Sequence, residues 1–195
     1  MALLHGLLKP IQMWNDFILP IGRWISIVAI ALMVVAILVQ VFFRYALNNA
    51  LPWPDEAARF MMLWLTGLMA PMAFRRGGFV AIDMVVLALP KKLGEIVAMI
   101  LLVISAGVLL VAINIGYGEL TGFSAKFNTA SLYVPLAIDF SEWLRVPRSW
   151  MMASLFVGVV LLFIVNVELI LRALITFLGG KDDLKDLMPP EVITE

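Results

Sequence analysis

Asp55, Glu56 and Arg59 bring three charges into one short stretch, Trp53-Pro54-Asp55-Glu56-Ala57-Ala58-Arg59, immediately ahead of an apolar run. In a helix, Asp55 and Arg59 are spaced i,i+4 and Glu56 and Arg59 i,i+3, so both carboxylates come within reach of one guanidinium. A charge at the centre of a membrane-spanning helix costs about 2.5–3.5 kcal/mol on insertion scales, so such groups need partners, water or headgroups. Pro54 suits the first helical position, and two acids suit the positive end of the helix dipole. The chemistry on offer is ion pairing and hydrogen bonding. Gln40 precedes Arg44 by four and Glu168 precedes Arg172 by four, so each pair can meet near its helix end and serve as an anchor.

No reaction chemistry is visible. The chain has no cysteine, which excludes thiolate metal sites, structural disulfides and disulfide exchange. Its single histidine, His5, lies outside the apolar blocks, so a haem anchor with paired axial histidines is excluded. There is no nucleophile with its base, no phosphate-binding loop and no metal-ligand spacing, so neither catalytic, substrate-binding nor cofactor residues are expected. No apolar block carries a carboxylate near its midpoint or the matched midspan breaks of an ion-coupled transporter. The formal net charge of zero, with no basic run, gives no sign of nucleic acid.

The elements that must hold these residues follow from composition. A hydrophobic fraction of 63%, only 14% charged residues and a mean hydropathy of +1.02 describe an integral membrane protein. Four blocks reach the roughly 20 residues needed to cross a hydrocarbon core: 21–43, 56–74, 96–117 and 149–171. They are apolar on every face rather than alternating, which predicts an all-α protein with four transmembrane helices. Residues 21–172 form that domain, 1–20 an amphipathic interfacial segment broken at Pro10, and 173–195 a polar tail. Pro71 predicts a bend in the second span. Ser154-x-x-x-Gly158 and Thr66-x-x-x-Ala70 have the small-residue spacing that lets helix backbones approach.

Between the second and third spans, residues 79–89 are apolar but too short to cross, and are expected to lie along the inner interface between Gly77-Gly78 and Pro90. The connection 118–148 contains an apolar stretch, 132–138, that calls for cover by the bilayer surface or by a partner protein. With the N-terminus inside, nine of the fourteen basic residues fall on the inner side, which assigns both termini to the cytoplasm. Trp14 and Trp24 then flank the inner boundary, and Trp53, Trp143 and Trp150 the outer one.

Val41-Phe42-Phe43-Arg44-Tyr45, then Trp53-Pro54-Asp55-Glu56-Ala57-Ala58-Arg59, Trp64 and Gly67, and Gly77-Gly78-Phe79-Val80-Ala81-Ile82-Asp83 form an ordered series. Together with Leu89-Pro90, Val134-Pro135 and Val146-Pro147, this series resembles the small membrane subunit (Q subunit, DctQ-type) of tripartite ATP-independent periplasmic (TRAP) transporters. The resemblance implies a bacterial inner-membrane importer in three parts. A periplasmic substrate-binding protein (P subunit) captures a small organic acid, and a large membrane subunit (M subunit) carries it inward with sodium, which that large subunit binds. The small subunit is implied to be a scaffold that handles no solute itself. Its expected interface and structural residues are Arg44, Trp53, Asp55, Glu56, Arg59 and Asp83. Arg44, Glu56 and Arg59 are expected to form one network at the outer end, and Asp83 to anchor the inner horizontal segment. From the residues alone, a stand-alone four-helix transporter or channel and an assembly factor for another membrane complex stay open.

Overall fold

The computed structural model describes residues 2–77, 90–135, 143–178 and 187. Four long helices cover the four apolar blocks: α1 (Ala2–Ala46), α2 (Trp53–Arg75), α3 (Lys91–Thr121) and α4 (Ser149–Phe177). Each is long and apolar enough to cross a membrane. They stand side by side in the order α1, α2, α4, α3, so α2 and α4 form the centre. Buried side chains concentrate there, whereas the most hydrophobic stretch of α3 buries none of its residues within the chain. In a membrane protein an apolar surface of this kind faces lipid or another protein rather than water.

α1 differs from expectation. Pro10 and Pro20 both lie inside one continuous helix of 45 residues, so the predicted break at Pro10 does not occur. A proline removes one intrahelical hydrogen bond and crowds the carbonyl four residues earlier, but helix on both sides, held by packing, can absorb that local loss. Leu8, Asn15 and Leu19 are buried at spacings that keep the N-terminal part of α1 against the bundle. At about 1.5 Å per residue the helix is about 68 Å long, more than twice a hydrocarbon core. α1 ends where Asn48 takes a positive φ of 50°, and the Asn49 N–H donates back to the Phe43 carbonyl at 3.0 Å. Asparagine tolerates that left-handed conformation better than most residues.

The centre is held by close backbone approach. A Cβ placed on Gly67 of α2 would collide with the Ser154 carbonyl of α4, and one on Gly158 would sit 2.7 Å from the Gly67 Cα. Ser154-x-x-x-Gly158 therefore acts as a small-residue seam, and the residue it meets on α2 is Gly67. Pro71 lies within α2 and is buried. Between α3 and α4, Asn166 is fully buried. Its amide is satisfied when the nitrogen donates to the Leu102 carbonyl (3.2 Å) and the oxygen accepts from the Ser105 hydroxyl (2.9 Å).

The all-α expectation needs one correction. The connection between α3 and α4 contains a 3-10 turn, Phe123–Lys126, and an antiparallel hairpin of β1 (Asn128–Pro135) and β2 (Trp143–Pro147). A connection at a helix end has backbone groups that no helix satisfies, and pairing two strands satisfies many of them. The predicted horizontal segment 79–89, the middle of the 118–148 connection and nearly all of the tail lie outside the described residues.

Candidate functional site

Two polar constellations occupy opposite ends of the bundle. At the end where α2 finishes, Glu168 of α4 is fully buried and accepts from three other side chains. Arg75, the last residue of α2, grips it with two bonds, Nε to Oε2 and Nη2 to Oε1, both 2.8 Å. Asn15 of α1 donates through Nδ2 to Oε2 at 2.6 Å, and Arg172 through Nε to Oε1 at 3.0 Å. Arg75 also pairs with the half-exposed Asp16 at 2.6 Å. Two carboxylates thus face two guanidiniums, and the cluster is formally neutral. The fork of Arg75 matches the carboxylate plane, the geometry that makes such pairs strong and directional.

Each helix supplies its part for a local reason. Arg75 ends α2, where a cation suits the negative end of the dipole. Glu168 and Arg172 share one face of α4 by their i,i+4 spacing, so the anchoring pair expected from the sequence is formed. Asn15 and Asp16 are adjacent on α1, so one points into the bundle while the other reaches Arg75 from its rim. Sequence reading did not bring Asn15, Asp16 or Arg75 to Glu168. The available signal was a polar pair in an otherwise apolar helical face, but nothing in the spacing names partners on other helices.

At the other end, Glu56 does not bind Arg59. Its carboxylate accepts from the Ala130 N–H (2.8 Å), from the Ser131 N–H, and from the Ser131 hydroxyl (2.7 Å), all on β1. The reason lies in the hairpin register. Tyr133 to Pro135 pair with Arg145 to Trp143, and Asn128 with Pro147, but the residues between Asn128 and Tyr133 break the ladder. Such a bulge frees backbone groups. Glu56 takes the freed N–H groups, while Arg145 donates to the Thr129 and Ala130 carbonyls and lies 5.8 Å over the Tyr133 ring. The Thr129 hydroxyl adds a bond to the Val146 carbonyl at 2.8 Å. Donors held in place by the hairpin backbone outcompete an exposed guanidinium for the same carboxylate, because a surface ion pair must first order two side chains.

The other predicted site residues stand apart. Arg44 is exposed at the end of α1, with its guanidinium 5.9 Å over the ring of Tyr45. Trp53, Asp55 and Arg59 are exposed on α2. Among the described residues, neither Arg44 nor Arg59 forms an ion pair with Glu56 or Asp55, and Gln40 makes no hydrogen bond to Arg44. The single network expected of Arg44, Glu56 and Arg59 is therefore not formed within the chain. Asp83 lies outside the described residues. Among the described residues no group of three or more metal-ligating side chains assembles.

Both constellations join elements of this chain to one another. One closes three helices on a carboxylate, and the other ties a hairpin to a helix start. Residues 33–176 match the family model described as tripartite ATP-independent periplasmic transporters, DctQ component. No curated protein matches the chain.

Proposed function

The chain belongs to the DctQ component family of tripartite ATP-independent periplasmic transporters, and from that membership we propose that it is the fixed brace of such a transporter in a bacterial inner membrane. The family is one of transporter components, not of enzymes. In this reading the chain packs along a large membrane subunit, which carries a small organic acid inward with sodium, and it stands beside a periplasmic substrate-binding protein. Both termini face the cytoplasm, and the hairpin end faces the periplasm.

The observation that carries the bracing role is how the polar groups are spent. Glu168 is satisfied by Asn15, Arg75 and Arg172, and Glu56 by the hairpin, so the strongest polar contacts stiffen the unit. Among the described residues, both carboxylates are thus taken up by protein donors rather than left open to a solute. The exposed apolar faces of α1 and α3 supply surface for a membrane partner. Arg44, Trp53, Asp55 and Arg59, all exposed and without an ion pair among the described residues, are the residues we assign to intersubunit contact at the hairpin end. Asp83 is assigned to anchoring the segment between α2 and α3.

The test is isolation of the complex from native membranes. A large membrane subunit should co-purify with this chain, and sodium-driven uptake of the cognate acid should require both. An Arg44→Ala, Arg59→Ala double variant should lower the yield of the complex while the isolated chain still folds. Vesicles holding only this chain that accumulate an organic acid would overturn the reading.

A further inference from the structure

The 3-10 turn that follows α3 has its side chains arranged the wrong way round for water. Ala125 is the buried residue, at 5% exposure, while Phe123 and Phe127 stand outward at 76% and 52%. The two rings meet edge to face with centroids 5.1 Å apart. The backbone that carries them is tied on both sides. The Ala125 N–H donates to the Gly122 carbonyl at 3.2 Å, and the Phe127 carbonyl accepts from the Arg148 N–H at 2.8 Å, at the threshold of α4. Lys126, also exposed, lies between the rings in sequence.

We propose that this turn is seated in the phospholipid interface, with the Phe123 and Phe127 rings at the level of the acyl-chain boundary and the Lys126 ammonium on lipid phosphate. Three observations select lipid as the occupant. The turn begins two residues beyond the last residue of a membrane-spanning helix, so it leaves the bilayer at headgroup depth. Other aromatic residues cluster at this same end: Tyr117 near the end of α3, Trp150 at the start of α4 and Trp53 at the start of α2, all outward-facing. Amphipathic rings collect at membrane boundaries for this reason. Finally, a lysine beside two apolar rings is the charge complement of a phosphate layer above hydrocarbon, reached by a long apolar stem. The anchor sets the height of the hairpin on one side, as Glu56 does on the other. This inference needs only that the helices span a bilayer, so it stands or falls apart from the proposed subunit role.

Because the chain has no cysteine, an introduced one is its single labelling site, and the same preparation of the unsubstituted chain subtracts any label taken up by accompanying subunits. Phe123→Cys and Phe127→Cys variants, each purified as the full chain with whatever subunits accompany it, would carry a nitroxide and be reconstituted into phosphatidylethanolamine–phosphatidylglycerol vesicles. Power saturation should show greater collision with oxygen, which concentrates in lipid, than with a water-soluble nickel chelate at both positions. A nickel signal exceeding the oxygen signal would place the turn in water and overturn the proposal. Low access to both reagents would place a protein over it and overturn it equally. Adding Lys126→Glu should shift both labels toward the nickel reagent, and unchanged values would remove the phosphate contact.

Discussion

Removing a single atom group from Glu168 tests how much of the molecule depends on it. Glu168→Ala leaves Arg75 and Arg172 facing each other across a buried space, and deleting one member of such a set costs about 3–5 kcal/mol. The expected result is a large fall in thermal midpoint in detergent. Asn15→Ala removes one hydrogen bond to a charged acceptor and should cost less, about 1.5–3 kcal/mol. At the other end, Glu56→Ala strands the Ala130 and Ser131 N–H groups. Because these are partly open to solvent, their hydrogen exchange should quicken by about tenfold rather than more. The i,i+4 partnership of Glu168 with Arg172 was readable from spacing, since one helix fixes both positions. The convergence of Asn15, Asp16 and Arg75 was not, because three helices meet there and their rotations are set by packing. Glu56 illustrates the converse: its nearest charged neighbours in sequence gave the wrong partner, and a backbone irregularity 74 residues away gave the right one.

At the scale of elements, the seam between α2 and α4 is the most exacting contact. Gly67→Ala and Gly158→Ala both drive a methyl group into backbone of the opposite helix, where no rotamer change gives relief. Each should destabilise by about 1–3 kcal/mol, measured as a lowered unfolding midpoint. Gly107→Ala on α3 is the control: nothing lies within 4 Å of the added carbon, and alanine favours helix, so stability should hold or rise. The four helices were plain in the sequence because about 20 uninterrupted apolar residues admit few other structures in a bilayer. The hairpin was hidden because its ladder is bulged and several of its backbone groups bond to side chains, Glu56 of α2 and Arg145 of β2, instead of to the opposite strand. Pro10 misled for a related reason. Local propensity argued for a break, but burial of Leu8, Asn15 and Leu19 on either side of the proline keeps the helix whole.

Taken whole, the molecule combines a stiff interior with broad apolar flanks on α1 and α3. If those flanks are where a companion helix bundle rests, loss of this chain should abolish uptake without abolishing solute capture by the soluble binding protein, a separation that equilibrium binding and vesicle flux measure independently. The Glu168 cluster also bears on biosynthesis. Its amide donor and its carboxylate are 153 residues apart, one on α1 and the other on α4, so the first helix to be made waits for the fourth. Until α4 is inserted, Arg75 has Asp16 as its carboxylate partner among the described residues, and Asn15 lacks the Glu168 carboxylate it meets in the finished bundle. A polypeptide cut short before α4 would therefore keep the rim pair of Arg75 with Asp16 but lack the buried carboxylate that draws three helices together.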